Sequence, residues 1–208
     1  MADEIPPDVV IGRLPIYLRA LQRLAEAGDK ITTSSHELAE RLGMSSAQIR
    51  KDLSLFGEFG KQGTGYHIDY LVEQLQRILQ LDQDWPVVLV GAGFLGHALA
   101  NYEGFRNRGF HVAWIFDSDP DKVGRAMGEL TIRHIDQLQE TIRREGARVA
   151  ILAVPADAAQ SIADQLVAVG IKAILNYAPI SLSVPDDVHI QYSDPVVQLQ
   201  HMTYYLSA

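Results

Sequence analysis

Three glycines, Gly91, Gly93 and Gly96, stand at the G-x-G-x-x-G spacing directly after the aliphatic run Val87-Val88-Leu89-Val90. Such a run suits a strand buried on both faces. Glycines at these places would let the chain turn tightly, let backbone approach a phosphate and let the next helix pack close to the strand. That helix, expected from Phe94 to about Tyr102, would aim its unpaired N–H groups and positive dipole end at the phosphate. The chemistry on offer is capture of a pyrophosphate by the segment Gly91, Ala92, Gly93, Phe94, Leu95 and Gly96. Roughly 20 residues further on, where this motif places an acid that accepts from a ribose 2′-OH, a second apolar run, His111 to Phe116, ends at Asp117. A carboxylate there repels a 2′-phosphate, and no Arg or Lys follows it immediately, so the pattern favours NAD(H) over its phosphorylated form. The plainer alternative is that Asp117 is one of several turn carboxylates in Asp117-Ser118-Asp119-Pro120-Asp121.

The elements around this turn alternate strand and helix. A short strand near Thr131 and Ile132, a helix over 135–145, a strand over 149–154, a helix over 156–169 and strands at 173–175 and 188–190 predict a mostly parallel sheet with helices on both faces. Ligands bind such sheets at the carboxyl ends of the strands. That places Pro155 and Asn176-Tyr177-Ala178-Pro179 as candidates for the nicotinamide end.

The glycine turn sits far from the N-terminus, so the residues before it read as a separate domain. Residues 1–8 read as an arm. Leu14, Leu18, Leu21 and Leu24 recur at helical spacing within 11–27, and Gly28 stops that helix. A second helix starts at Ser34 or Ser35 and runs to Arg41. Gly43-Met44 then turns into a third, capped by Ser45 or Ser46 and reaching about Phe56, which is the helix-turn-helix pattern. Burying Ile49, Leu53 and Phe56 leaves Ser46, Ala47, Gln48, Arg50, Lys51 and Ser54 at or near the outer face, with residue types that read base edges or hold phosphates in a major groove. The glycine-rich stretch 57–68 predicts a hairpin, and a hairpin after a helix-turn-helix makes a winged helix, with Lys61, Gln62 and Thr64 near its tip. A solvated helical bundle is the competing reading. A further helix over 69–81 closes the domain.

With 208 residues there is room for two small domains, each with its own core. A net charge of −8 argues against indiscriminate attraction to nucleic acid, while a local basic surface can still bind it. No cysteine is present, which excludes disulfides and thiol-based redox sensing. No apolar run is long enough to span a bilayer, so a cytoplasmic protein with no membrane partner is expected. No metal site is expected. The last helix, 196–206, with Asp194 as its cap, is apolar over much of its surface through Val197, Leu199, Met202, Tyr205 and Leu206. It must pack on its own sheet or on a partner subunit.

Taken in order, Arg13-Leu14-Pro15-Ile16-Tyr17-Leu18-Arg19, Arg50-Lys51-Asp52-Leu53-Ser54 with Phe56-Gly57, Gly65-Tyr66, Gly91 to Gly96, Phe116-Asp117-Ser118-Asp119-Pro120 with Lys122-Val123-Gly124, Val154-Pro155 and Asn176-Tyr177-Ala178-Pro179 resemble the Rex family of redox-sensing transcriptional repressors. The resemblance covers nearly the whole chain. It implies a homodimer, a winged-helix domain over 1–84 that binds a palindromic double-stranded operator, a Rossmann domain over 85–193 that senses NADH against NAD⁺, and a domain-swapped dimerisation helix over 194–208. It adds Lys122 and Val154 to the cofactor site, where NAD(H) acts as ligand and not in catalysis. Tyr102 is expected as a gate near the nicotinamide, and Asp194 as the switch partner of Arg19 from the other subunit. Phe94, Tyr177 and Pro195 depart from the residues usual in that family.

Two other functions fit the fold class. An NAD-dependent oxidoreductase would need an acid–base residue against the nicotinamide and a substrate domain. Neither His97 nor His111 has such a setting, and little more than one Rossmann domain remains after Val87, so no catalytic residue is expected. A regulator that binds coenzyme A or another nucleotide is the third reading.

Overall fold

The structure is a computed structural model, which describes residues 6–61 and 63–207. The chain divides into two compact units, Met1–Gln83 and Asp84–Ala208.

In the first unit the expected opening helix is broken in two, α1 (Asp8–Ile11) and α2 (Leu14–Ala27). The cause is Pro15, which lacks an N–H and is tolerated only in a helix's first turn, so the chain must restart there. After β1 (Thr32–Thr33), a strand the sequence pattern did not announce, come α3 (Ser35–Leu42) and α4 (Ser46–Ser54). Ser34 and Ser45 cap them by accepting hydrogen bonds from the Glu37 and Gln48 N–H groups, both at 3.1 Å. Between them Gly43 takes a left-handed φ of 64°, which swings the chain sharply from one helix into the next. β2 (Gly60–Lys61) and β3 (Gly65–His67) form the wing, with β3 also pairing β1, and α5 (Ile68–Ile78) follows. Leu14, Tyr17, Leu21, Leu38, Ile49, Leu53, Ile68, Leu71 and Leu75 are all buried in one core. Their helical spacing is what fixes α4 with its polar side outward.

The second unit holds β4 (Trp85–Val90), α6 (Phe94–Ala100), β5 (Phe110–Asp117), β6 (Ala126–Met127), β7 (Leu130–His134), α7 (Leu138–Glu145), β8 (Val149–Leu152), α8 (Ala156–Ala168), β9 (Ala173–Asn176), β10 (His189–Tyr192) and α9 (Pro195–Thr203). The sheet order is β10-β9-β8-β4-β5-β7-β6, parallel except for β6. Leaving out the antiparallel edge strand, this is the doubly wound order 3-2-1-4-5-6, with the reversal between β4 and β8. Side chains alternate along β4 as a strand requires: Val88 and Val90 join the core under α7 and α8, while Val87 and Leu89 join the core under α6.

Helix α9 behaves differently. Asp194 caps it, accepting from the Val196 N–H at 2.9 Å, but none of its described side chains is buried, and Leu199 and Met202 are 61% and 60% exposed. The alternative of packing on its own sheet is thereby corrected. The helix also ends early, with residues 204–207 wound into a 3₁₀ turn.

Candidate nucleotide and nucleic-acid interfaces

The carboxyl ends of β4, β5 and β8, with the start of α6 and α8, enclose a cleft of about 470 Å³. Gly91, Gly93, Phe94, Leu95, Asp117, Lys122, Val154 and Pro155 all line it. Their spread from 91 to 155 is gathered by the sheet's order reversal, where a crevice must open because consecutive connections leave on opposite faces.

The three glycines separate by role. A Cβ on Gly91 would lie 2.2 Å from the Ala153 carbonyl oxygen, and one on Gly96 would lie 1.8 Å from the Gly91 carbonyl oxygen. Packing of strand, turn and helix therefore forbids a side chain at either. Gly93 has an extended backbone with φ of −81°, and a Cβ there would meet nothing within 4 Å. Neither backbone geometry nor packing demands glycine at 93, so the space it leaves in the cleft fits a ligand phosphate. Phe94 beside it is fully exposed.

Asp117 is 8% exposed and already engaged. One oxygen accepts from the Ala92 N–H at 2.7 Å and lies 3.2 Å from the Lys122 ammonium, and the other accepts from the Asp119 N–H at 2.8 Å. Burial pushes its pKa up, but these hydrogen bonds outweigh burial and hold it below the ordinary 3.8. A carboxylate offers about four lone-pair sites, so capacity for a ribose hydroxyl remains. Lys122 also corrects the charge argument: five residues along the chain, the turn brings its ammonium back to the acid, which weakens the repulsion of a 2′-phosphate. Ala92 itself is buried and reaches the site only through its N–H.

Other expected cofactor residues stand away from this cleft. Asn176 is fully buried, its amide donating to the Ala178 and Ile180 carbonyls at 3.1 Å while its oxygen accepts from the Ala178 N–H, so its side chain closes the loop after β9. Tyr177 packs half-buried in the core under α6. Tyr102 follows α6 and lines a different depression with Phe105, Arg106, Met127 and Glu129, its ring edge-on to Phe105 at 5.1 Å. That depression lies at the amino ends of the strands, because α6 runs antiparallel to them. Sequence reasoning missed Ile135, Ala158 and Ile162 in the cleft. The last two are spaced i and i+4 on α8, and this face was readable once the strand before α8 had been placed.

In the first unit Ala47, Arg50, Lys51 and Ser54 lie exposed on α4, with Ser46 and Gln48 half-buried. Lys61 and Thr64 are exposed on the wing, and Gln62 lies outside the described residues. A groove of about 860 Å³ runs between α4 and the wing, lined by Arg50, Ser54, Lys61 and Thr64 among others, with Arg50 donating to the Ser35 hydroxyl at 3.0 Å.

Beneath α4 is a cluster the sequence reading did not single out. Asp52, 1% exposed, accepts from Arg13 through Nε at 2.6 Å and Nη2 at 2.8 Å, from the Tyr17 hydroxyl at 2.6 Å and from Gln48 Nε2 at 2.8 Å. An acid at i+4 from a glutamine on a helix with one polar and one buried face was the available signal. Burial raises the Asp52 pKa, but its hydrogen bonds from Arg13, Tyr17 and Gln48 outweigh it and keep the acid below 3.8, while burial and the neighbouring Asp52 raise that of Tyr17. Because the folded value is depressed, the cluster's stabilisation is full above about pH 4 and is lost as pH falls through the folded value. Asp52→Ala, which strands the guanidinium and the phenol, is expected to destabilise this unit by about 3 kcal/mol at neutral pH. Hydrogen exchange of the α2 and α4 amides checks this. The gap between wild type and variant should narrow in acid, and equal protection at pH 7 would contradict it.

Among known proteins, a family model described as a CoA binding domain matches residues 82–180, and one described as a putative DNA-binding protein N-terminus matches residues 4–54. The redox-sensing transcriptional repressor Rex of Chloroflexus aurantiacus is 53% identical over 204 residues, covering 98% of this chain and 96% of the relative. The chain belongs to the Rex family. Its counterpart of the same description from Streptomyces coelicolor is 46% identical, covering 96% of this chain and 77% of that protein. Among solved structures, the Rex-family repressor RSP in complex with β-NAD⁺ and operator DNA is 40% identical with a TM-score of 0.93, covering 98% of this chain and 93% of that one. RSP in complex with β-NADH is 38% identical with a TM-score of 0.88, covering 98% and 95%. The winged-helix and Rossmann architecture is thus that of a Rex repressor.

Proposed function

We propose that this chain is a DNA-binding transcriptional repressor that reads the balance of NADH and NAD⁺ and releases a palindromic operator when NADH binds. The observation that carries the reading is Gly93, whose missing side chain serves the cleft and not the fold, in a chain that resembles along almost its full length a repressor solved with NAD⁺ and operator DNA and with NADH. NAD(H) supplies no chemistry in this scheme. Gly93 and the first turn of α6 would hold the pyrophosphate, Asp117 the adenosine ribose, and Val154 and Pro155 the path toward the nicotinamide.

We read the action as non-enzymatic because the chain belongs to a family whose members from Chloroflexus aurantiacus and Streptomyces coelicolor are described as transcriptional repressors. We divide the chain into a DNA-binding domain over 1–84, an NAD(H)-binding domain over 85–193 and a dimerisation helix over 194–208. Exposure of Val196, Val197, Leu199, Met202 and Tyr205 supports a homodimer in which α9 is covered by a second copy. A dimer matches a palindrome, since each copy meets one half-site. Among the described residues no helix is long and apolar enough to cross a membrane, and a DNA operator as partner favours a cytoplasmic location.

A ligand moves such an equilibrium only by binding one state better than the other. We assign the linkage to Arg19 and Asp194 of opposite subunits, paired when DNA is bound. Asp194→Ala is expected to weaken operator affinity and blunt the NADH response, as read by anisotropy of a labelled duplex. If both stay at wild-type values, the pairing is wrong. Coenzyme A is the rival ligand, favoured by the description of the family model over 82–180.

A further inference from the structure

Gln48 stands in the first turn of α4, three residues after its cap, where recognition helices present side chains to base edges. Its amide is not free to turn. Nε2 donates to Asp52 Oδ1 at 2.8 Å, and Asp52 is held in turn by two hydrogen bonds from Arg13 and one from Tyr17. An ionised carboxylate only accepts, so the nitrogen end of the Gln48 amide must face inward. What is left for an outside partner is Oε1, an acceptor, and the second N–H beside it.

Adenine offers the matching pair in the major groove, an N6 amino donor and an N7 acceptor, whereas guanine sets its O6 acceptor against the amide oxygen. We propose that Asp52 is a positioning residue for base recognition: by fixing the Gln48 amide nitrogen, it commits Gln48 to reading adenine over guanine at one base pair of each half-site. The inference rests on the DNA-binding reading above. Arg13 and Tyr17 belong to the same device, since they prevent the Asp52 carboxylate from swinging away. A Gln and Asp spaced i and i+4 can also serve merely to support the helix. The test therefore has to separate readout from stability.

Asp52→Ala strands Arg13, so the release of Gln48 is best made with the triple replacement Arg13→Met, Tyr17→Phe and Asp52→Leu, which swaps the polar cluster for apolar residues of similar size and leaves no unpaired buried charge. Circular dichroism and amide exchange establish that α4 is intact. Palindromic duplexes with each half-site base pair permuted are then titrated with wild type, Gln48→Ala, the triple variant and the triple variant carrying Gln48→Ala. In wild type one position should prefer adenine over guanine by about tenfold. Gln48→Ala should abolish that preference, the triple variant should cut it to about twofold, and adding Gln48→Ala to the triple variant should remove only what remains. Preferences at the other positions, read by Arg50 and its neighbours, should hold. Full adenine preference in a folded triple variant, or no position that responds to Gln48→Ala, would overturn the inference while leaving DNA binding standing. Absence of any sequence-selective binding by wild type would overturn both.

Discussion

Gly93→Val is expected to fold normally, bind the operator as tightly as wild type and lose NADH affinity by about a hundredfold or more. The fold is spared because a Cβ at this position meets no neighbour and the backbone is extended, a conformation that β-branched residues accept. The isopropyl group instead occupies the cleft where backbone must approach a pyrophosphate. Losing two charge-assisted hydrogen bonds there, at roughly 1.5–3 kcal/mol each, gives a loss of that order. Calorimetric titration with NADH and a thermal melt measure the two halves of the claim. Gly91→Val or Gly96→Val should fail in the melt as well, because each collides with a carbonyl oxygen. Lys51→Ala gives the mirror image, since an exposed cation on α4 that neutralises phosphate contributes to every duplex and to no nucleotide: weaker DNA binding, with a smaller salt dependence, and unchanged NADH affinity. A Gly93→Val protein that still titrates with NADH at wild-type affinity would remove the glycine turn from the site.

If α9 is the interface of the proposed homodimer, placing two charges on it, Leu199→Asp with Met202→Asp, should yield a monomer and reduce operator affinity by about a hundredfold or more. Both residues are more than half exposed and lie on a helix with no buried side chain, so the monomer has nothing to lose from the change. A dimer interface would have to bury both carboxylates unpaired, a cost of several kcal/mol. The DNA penalty follows from valence, because two linked half-site contacts exceed one by roughly 10²–10⁴-fold. Light scattering on an eluting column reads the mass and anisotropy reads the affinity. A doubly charged variant that remains dimeric would show that α9 does not carry the interface.

The large pieces were legible because they follow from periodicity and from motifs with a mechanism. The strand and glycine turn at 85–96, the paired helices around Gly43 and the wing at 60–67 formed where alternation, caps and glycines placed them. Edges were less readable: β1 and β6 are two residues each, and a two-residue strand has no period of its own. Pro15 could have divided the first helix in advance, since its ring belongs in a first turn. The cleft was read less completely than the fold. Asn176 has the right residue type at a strand's carboxyl end, yet its amide is spent on loop carbonyls, and the local sequence does not distinguish these uses. Tyr102 was placed by nearness to the glycine motif along the chain, but one antiparallel helix carries it to the other end of the sheet. Lys122 came back to Asp117 through a turn in which Asp117 and Asp119 each accept from backbone two residues on, which spacing alone did not reveal. The Asp52 cluster joins residues 39 apart, and only packing of α2 on α4 brings them together.

The central claim is that a nucleotide in the second unit governs DNA held by the first. It is tested by following anisotropy of a labelled palindromic duplex, bound to the full-length protein, during separate titrations with NADH, NAD⁺, NADPH and coenzyme A. The account predicts that NADH releases the duplex at concentrations where NAD⁺, NADPH and coenzyme A leave it bound. Release by coenzyme A and not by NADH, or a duplex indifferent to all four, would contradict it.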